Sequence, residues 1–114
     1  MFYALTLPLQ KTTIMYIYNV TIKVSHAIKD EWLKWMKEEH IPDMMATNKF
    51  ENYRFCKLMD HDDEEGVVYV AQYDCFTRSD YNAYIEIHSE RLRKKSYEKF
   101  GDQFMAFRTL MEHA

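Results

Sequence analysis

The stretch from Ile28 to Asp43 constrains the fold more than any other part of this sequence. At about 100° per residue, Ile28, Trp32, Leu33, Trp35 and Met36 fall on one side of a helix. Asp30, Glu31, Lys34, Lys37 and Glu38 fall on the other. An aromatic face this heavy needs a broad apolar surface to cover it. Ser25 is placed to cap the helix, which is expected over about Ala27 to His40. Pro42 is expected to end the regular helix near Glu39 or His40, because the residue before a proline is pushed out of the helical region. Asp43 to Thr47 is expected to add a short further turn.

The covering surface is a sheet. Tyr16 to Val24 alternates and is rich in strand-forming residues;. Phe50 to Met59 and Val67 to Phe76 read as two more strands around the charged turn from Asp60 to Gly66. Thr77 or Ser79 is expected to cap a second helix from about Asp80 to Phe100, with Gly101 as its stop. Phe104 to Glu112 is the last strand. The order βαββαβ, with right-handed crossovers, predicts a ferredoxin-like α+β sandwich. Two helices then cover one face of a four-stranded antiparallel sheet.

The other face needs its own cover. In the last strand Phe104, Ala106, Arg108 and Leu110 oppose Met105, Phe107, Thr109 and Met111, and neither set is plainly a solvent face;. Large apolar side chains left open would form a sticky patch. A second copy packed sheet to sheet is the expected remedy, giving a homodimer.

Length and charge exclude other classes. A chain of 114 residues suits one domain;. A formal charge of −3 gives no basic footprint for nucleic acid;. No stretch is long enough to span a membrane. With 2 glycines in the chain, phosphate-binding glycine loops are nearly excluded, and there is no CxxC, HExxH or GxSxG pattern;. No cofactor or metal is expected. Cys56 and Cys75 fall on neighbouring strands, roughly 20 Å apart at about 3.3 Å per residue, too far to bridge. Free thiols and no convincing export signal point to the cytoplasm. Residues 1–14 break the periodic pattern and are expected to be a non-native or disordered extension ahead of a single domain over 15–114.

Tyr16 to Val24, the run Trp32-x-x-Trp35-Met36-Lys37-x-x-His40-Ile41-Pro42-Asp43, and Phe107-Arg108-Thr109-Leu110 together resemble a bacterial domain-of-unknown-function family of about a hundred residues;. More distantly they resemble the dimeric α/β-barrel superfamily. That superfamily includes antibiotic-biosynthesis-type monooxygenases, muconolactone-isomerase-like enzymes and stress-responsive barrel proteins. The resemblance covers Met15 to about His113. It implies a small-molecule cavity between sheet and helices and carries over no set of catalytic residues.

Candidate ligand contacts are Trp35, Glu39, His40, Arg108 and Tyr18, with His40 as the candidate acid/base group. Glu39 lies inside the apolar arc of the first helix and His40 at its edge. Alternatively, His40 meets the negative helix end and Glu39 reaches solvent. Arg108 sits mid-strand and needs a partner. That partner is either Glu39, Asp43 or Asp74, within the chain or across the dimer, or an anionic ligand. The strand tyrosines read mainly as core. His88 reads as a satisfied core histidine, the acidic turn as a solvated hairpin tip, and the Arg91, Arg93, Lys94, Lys95, Lys99 patch as a solvated face. The leading functional expectation is a small-molecule-binding or stress-related module. The alternatives are a cofactor-independent monooxygenase or isomerase acting on an aromatic or carbonyl compound, and a purely structural interaction module.

Overall fold

The structure is a computed structural model describing residues 14–114. The expected extension over residues 1–14 lies, but for Ile14, outside the described residues. Strand β1 (Tyr16–Val24) pairs antiparallel with both β3 (Val67–Cys75) and β4 (Phe104–Glu112), and β2 (Asn52–Lys57) pairs with β3. The strand order is β2-β3-β1-β4. This is the expected ferredoxin-like sandwich, with the first and last strands within the predicted bounds. Strand β2 is shorter than predicted at both ends; at the first, Phe50 lies outside the ladder and in the buried core.

Helix α1 spans 29–46 in three parts: α-helical Lys29–Trp35, π-helical Met36–His40 and α-helical Ile41–Ala46. The expectation that Pro42 ends the helix is therefore wrong. Proline cannot donate to the carbonyl four residues back and clashes with it. The wide π-turn absorbs that misfit: Ile41 N–H reaches back five residues to Met36 O. Pro42 then occupies the start of the next α-helical part, where it is tolerated;. The helix ends where Asn48 takes a left-handed φ of 61°;.

Helix α2 spans 78–100 and is likewise interrupted by a π-helical part, between Arg78–Ala83 and Glu90–Phe100, at Tyr84–Ser89. Thr77 is its cap, accepting from Asp80 N–H at 3.0 Å. Gly101 stops it at φ 59°, ψ −131°, a region only glycine enters freely;.

The core lies between sheet and helices. Trp32, Trp35, Met36, Ile41 and Met44 of α1 and Tyr84, Leu92 and Phe100 of α2 are buried against Tyr18, Ile22, Val24, Tyr69, Ala71 and Tyr73. Each fully buried large apolar side chain contributes about 1.5–3 kcal/mol.

The opposite sheet face is mixed. A hydrogen-bonded row crosses all four strands: Arg54 donates to Asp74 at 2.7 and 2.9 Å and to Gln72 at 3.0 Å. Gln72 donates to Asn19 at 3.0 Å, and Asn19 to Thr21 at 3.2 Å and Thr109 at 3.4 Å. Beside it, along the edge strand β4, Met105 and Phe107 stand 57% and 63% exposed.

Candidate functional site

A cavity of about 40 Å³ lies between the two helices and the sheet. That is room for two or three waters, or for the head group of a ligand. Its floor is Tyr18, Ala71 and Tyr73 from the central strands. Trp35, Met36, His40 and Met44 enter from α1, and Tyr84, Arg93 and Ser96 from α2. Strand β4 supplies Phe104, Ala106 and Arg108 along its side-chain period of two;. Those three, with His40, Arg93 and Ser96, are half-buried, so the cavity opens on the β4 side.

Both π-turns face this cavity. Met36 and His40 lie in the first and Tyr84 in the second. A π-turn adds a residue to the helix and rotates the side chains beyond it, and such turns recur at functional sites. In α1 it aims His40 inward over Trp35, with ring centroids 5.0 Å apart and planes at 27°.

The electrostatics are one-sided. Arg93 and Arg108 line the cavity, and no carboxylate does. Arg93 Nη2 donates to Tyr18 Oη at 3.2 Å, while its Nε is buried without a partner. His40 is pushed down to about 4, chiefly because burial disfavours the imidazolium. Asp43 opposes that shift, and Arg108 reinforces it;. His40 is therefore neutral at neutral pH. Burial also drives the Tyr73 and Tyr84 phenols far above the ordinary range, so both stay protonated.

Of the five candidate contacts, Trp35, His40, Arg108 and Tyr18 come together at this cavity. Glu39 does not line it. Glu39 is exposed and accepts the Trp35 indole N–H at 2.7 Å, so it orients a wall residue from outside. The expected ion pair of Arg108 does not form within the chain. Asp43 is held by Lys95 at 2.8 Å, and Asp74 by Arg54 on the far face of the sheet. Among the described residues the Arg108 side chain has no hydrogen-bond or ion-pair partner, although its backbone pairs with Val20 in the ladder.

Sequence reasoning missed Arg93 by counting it in a solvated basic face. Lys95 and Lys99 do reach outward, to Asp43 and Glu31. Arg93 instead follows the stripe of Ser89, Leu92, Ser96 and Phe100, whose spacing of three and four marks the inner side of α2;. That spacing was the available signal. His88 is half-buried, stacked on Tyr84, with Nδ1 3.0 Å from Arg91 Nη2. The turn over 60–66 is largely exposed, and no three His, Cys, Asp or Glu side chains gather as metal ligands among the described residues. Cys56 is exposed and Cys75 buried, neither bridged. Burial pushes the Cys75 thiol up to about 11, where it is inert;. No helix among the described residues is long and apolar enough to cross a membrane.

An antiparallel β2-β3-β1-β4 sheet, with two helices enclosing a largely apolar cavity on one face, defines a ferredoxin-like α+β domain. Over residues 15–114 the chain matches, and belongs to, the family described as Domain of unknown function (DUF4286). Its fold is shared by a dimeric ferredoxin-like protein from an uncultured marine organism. That match has a TM-score of 0.70 at 9% identity, over 88% of this chain and 95% of the other. A protein of Nitrosomonas europaea assigned as an antibiotic biosynthesis monooxygenase aligns at TM-score 0.62 and 13% identity, over 92% and 95% of the two chains. A dimeric ferredoxin-like protein of unknown function from Thermobifida fusca aligns at 0.58 and 11%, over 90% and 95%. At these identities the likeness is one of fold. No curated protein matches the sequence.

Proposed function

We propose that this chain is a small-molecule-binding module that works as a homodimer through the open face of its sheet. The observation that carries the reading is the cavity joining His40 to Arg108, open on the β4 side, with two guanidinium groups in its walls and the Nε of Arg93 buried without a partner. A pure interaction module would gain nothing from leaving such groups unpaired, since buried polar atoms are normally satisfied. Dimerisation is supported by the exposed Met105, Phe107 and Met111 on one sheet face, and by the dimeric state described for two proteins of the same fold.

A cofactor-independent oxygenase or isomerase using His40 as proton acceptor is the weaker reading. A general base works best with a pKa near the operating pH. An imidazole held at about 4 is always free to accept a proton, yet is a poor base. The cavity is also too small to enclose an aromatic ring system whole.

The test is a fragment screen by two-dimensional NMR on the full chain, using small neutral carbonyl, aromatic and carboxylate compounds. Saturable shifts at Trp35, His40 and Ala106, abolished in Ala106→Phe, support binding in the cavity. The same shifts persisting in the filled variant, or none at all, would remove it.

A further inference from the structure

We propose that the cavity recognises the carboxylate or enolate oxygens of a small organic anion through Arg93 and Arg108. This inference rests on the ligand-binding role proposed above and adds the chemical class of the ligand. Four observations carry it. Two guanidinium groups, one from α2 and one from β4, reach a cavity whose walls contain no acid. The neighbouring carboxylates are already engaged: Asp43 by Lys95 at 2.8 Å, Glu39 by the Trp35 indole at 2.7 Å, and Asp74 by Arg54 on the other face. Arg93 is anchored through Nη2 to Tyr18 at 3.2 Å, and its buried Nε has no acceptor. The free space, about 40 Å³, fits a head group rather than a whole ring.

The chemistry of these groups selects the ligand. A guanidinium is a planar fork whose donors match the two oxygens of a carboxylate. Its charge persists at every accessible pH, so the cavity stays cationic. His40, neutral beside Arg108, offers one donor and one acceptor without adding to that charge;. Trp35, Met36 and Phe104 line the same space and suit an apolar remainder next to the carboxylate. A neutral amide of the same shape would leave both charges uncompensated.

The experiment titrates the full chain with propionate, its neutral isostere propionamide, and inorganic phosphate, followed by NMR at the Trp35 indole and the His40 ring. Propionate is expected to bind saturably and to raise the His40 pKa, since an anion beside the ring favours the imidazolium. Propionamide is expected to bind at least about tenfold more weakly, as is propionate to Arg108→Gln, the usual effect of losing one charge-assisted hydrogen bond. Arg93→Gln should do the same. Arg108→Gln, on the edge strand and without a side-chain partner to lose, serves if the half-buried Arg93 variant fails to fold. Equal binding of propionate and propionamide would overturn the inference, and so would phosphate binding as well as propionate, or wild-type affinity in Arg108→Gln. A neutral fragment that occupies the cavity while propionate does not would overturn the anion class alone. If no compound of any class binds, the ligand-binding role falls with it.

Discussion

Arg93, from the second helix, donates through Nη2 to the hydroxyl of Tyr18 at 3.2 Å, tying a cation to one of the two central strands. Tyr18 is 1% exposed and ringed by Phe50, Tyr73, Tyr81 and Tyr84. The phenol thus gives the guanidinium a fixed origin within an aromatic cluster. Tyr18→Phe keeps the ring packing and removes the acceptor, leaving a second partly buried donor of Arg93 unmatched. The expected cost is about 1–2 kcal/mol in chemical denaturation. An unchanged midpoint would show that Arg93 is held by something else.

His40 makes stability depend on pH in a definite direction. Its folded pKa of about 4 lies below the ordinary value of 6.5. Between those two values the unfolded chain binds a proton that the folded chain refuses. Stability is therefore unaffected by this group above the unfolded pKa. It falls as the pH drops through that window, by at most about 3 kcal/mol. Asp43 and Glu39 oppose the shift, and Arg108 and Lys95 reinforce it. Denaturation of the wild type and His40→Gln at a series of pH values should show a shallower slope in the variant. Parallel slopes would mean that His40 titrates normally.

Gly66 closes the acidic turn against the end of β1. A Cβ built there would sit 2.6 Å from the Val24 carbonyl oxygen, a backbone atom that cannot swing away. Gly66→Ala is expected to cost about 1–3 kcal/mol by overpacking, read as a drop in melting temperature. Gly101 differs in mechanism: nothing lies within 4 Å of its Cβ position, and the strain of substitution there comes from its φ of 59°.

The open sheet face supplies a test of assembly. Phe107 is 63% exposed and lies between Met105 and Met111 on that face. Sedimentation should find the wild type as a dimer and Phe107→Glu as a folded monomer, because a charge at the centre of the interface would be buried without a partner. A monomeric wild type at high concentration would end the dimer proposal.

The sandwich itself was legible because its strands and helices differ sharply in period. The alternation of Tyr16–Val24 and Phe104–Glu112 and the helical stripe of Trp32, Trp35 and Met36 each permit one reading. Trp35 was recognisable on the inward face of its helix and His40 at its edge, while Arg108 and Tyr18 were singled out by residue type, with the inner face of their strands left open. Glu39 was a candidate contact because an ideal helix places it in the apolar arc, and the alternative, that it reaches solvent, is the one the structure has. The structure has it exposed, bonded only to the edge of Trp35. Pro42 misled for a related reason. Local sterics predict a stop, and only the neighbouring packing decides whether a π-turn takes up the misfit.

Local pattern determined the order of elements and the inner face of the first helix, because periodicity and backbone preference act over a few residues. Which charges meet was decided in three dimensions. Asp74 and Arg108 lie on strands separated by β1, on opposite sheet faces, and so cannot pair within the chain. Arg93 turns inward to Tyr18, separated from it by 75 positions in sequence. A hydrogen bond requires atoms within a few ångströms, and only the folded packing of α2 over the sheet brings that pair into reach.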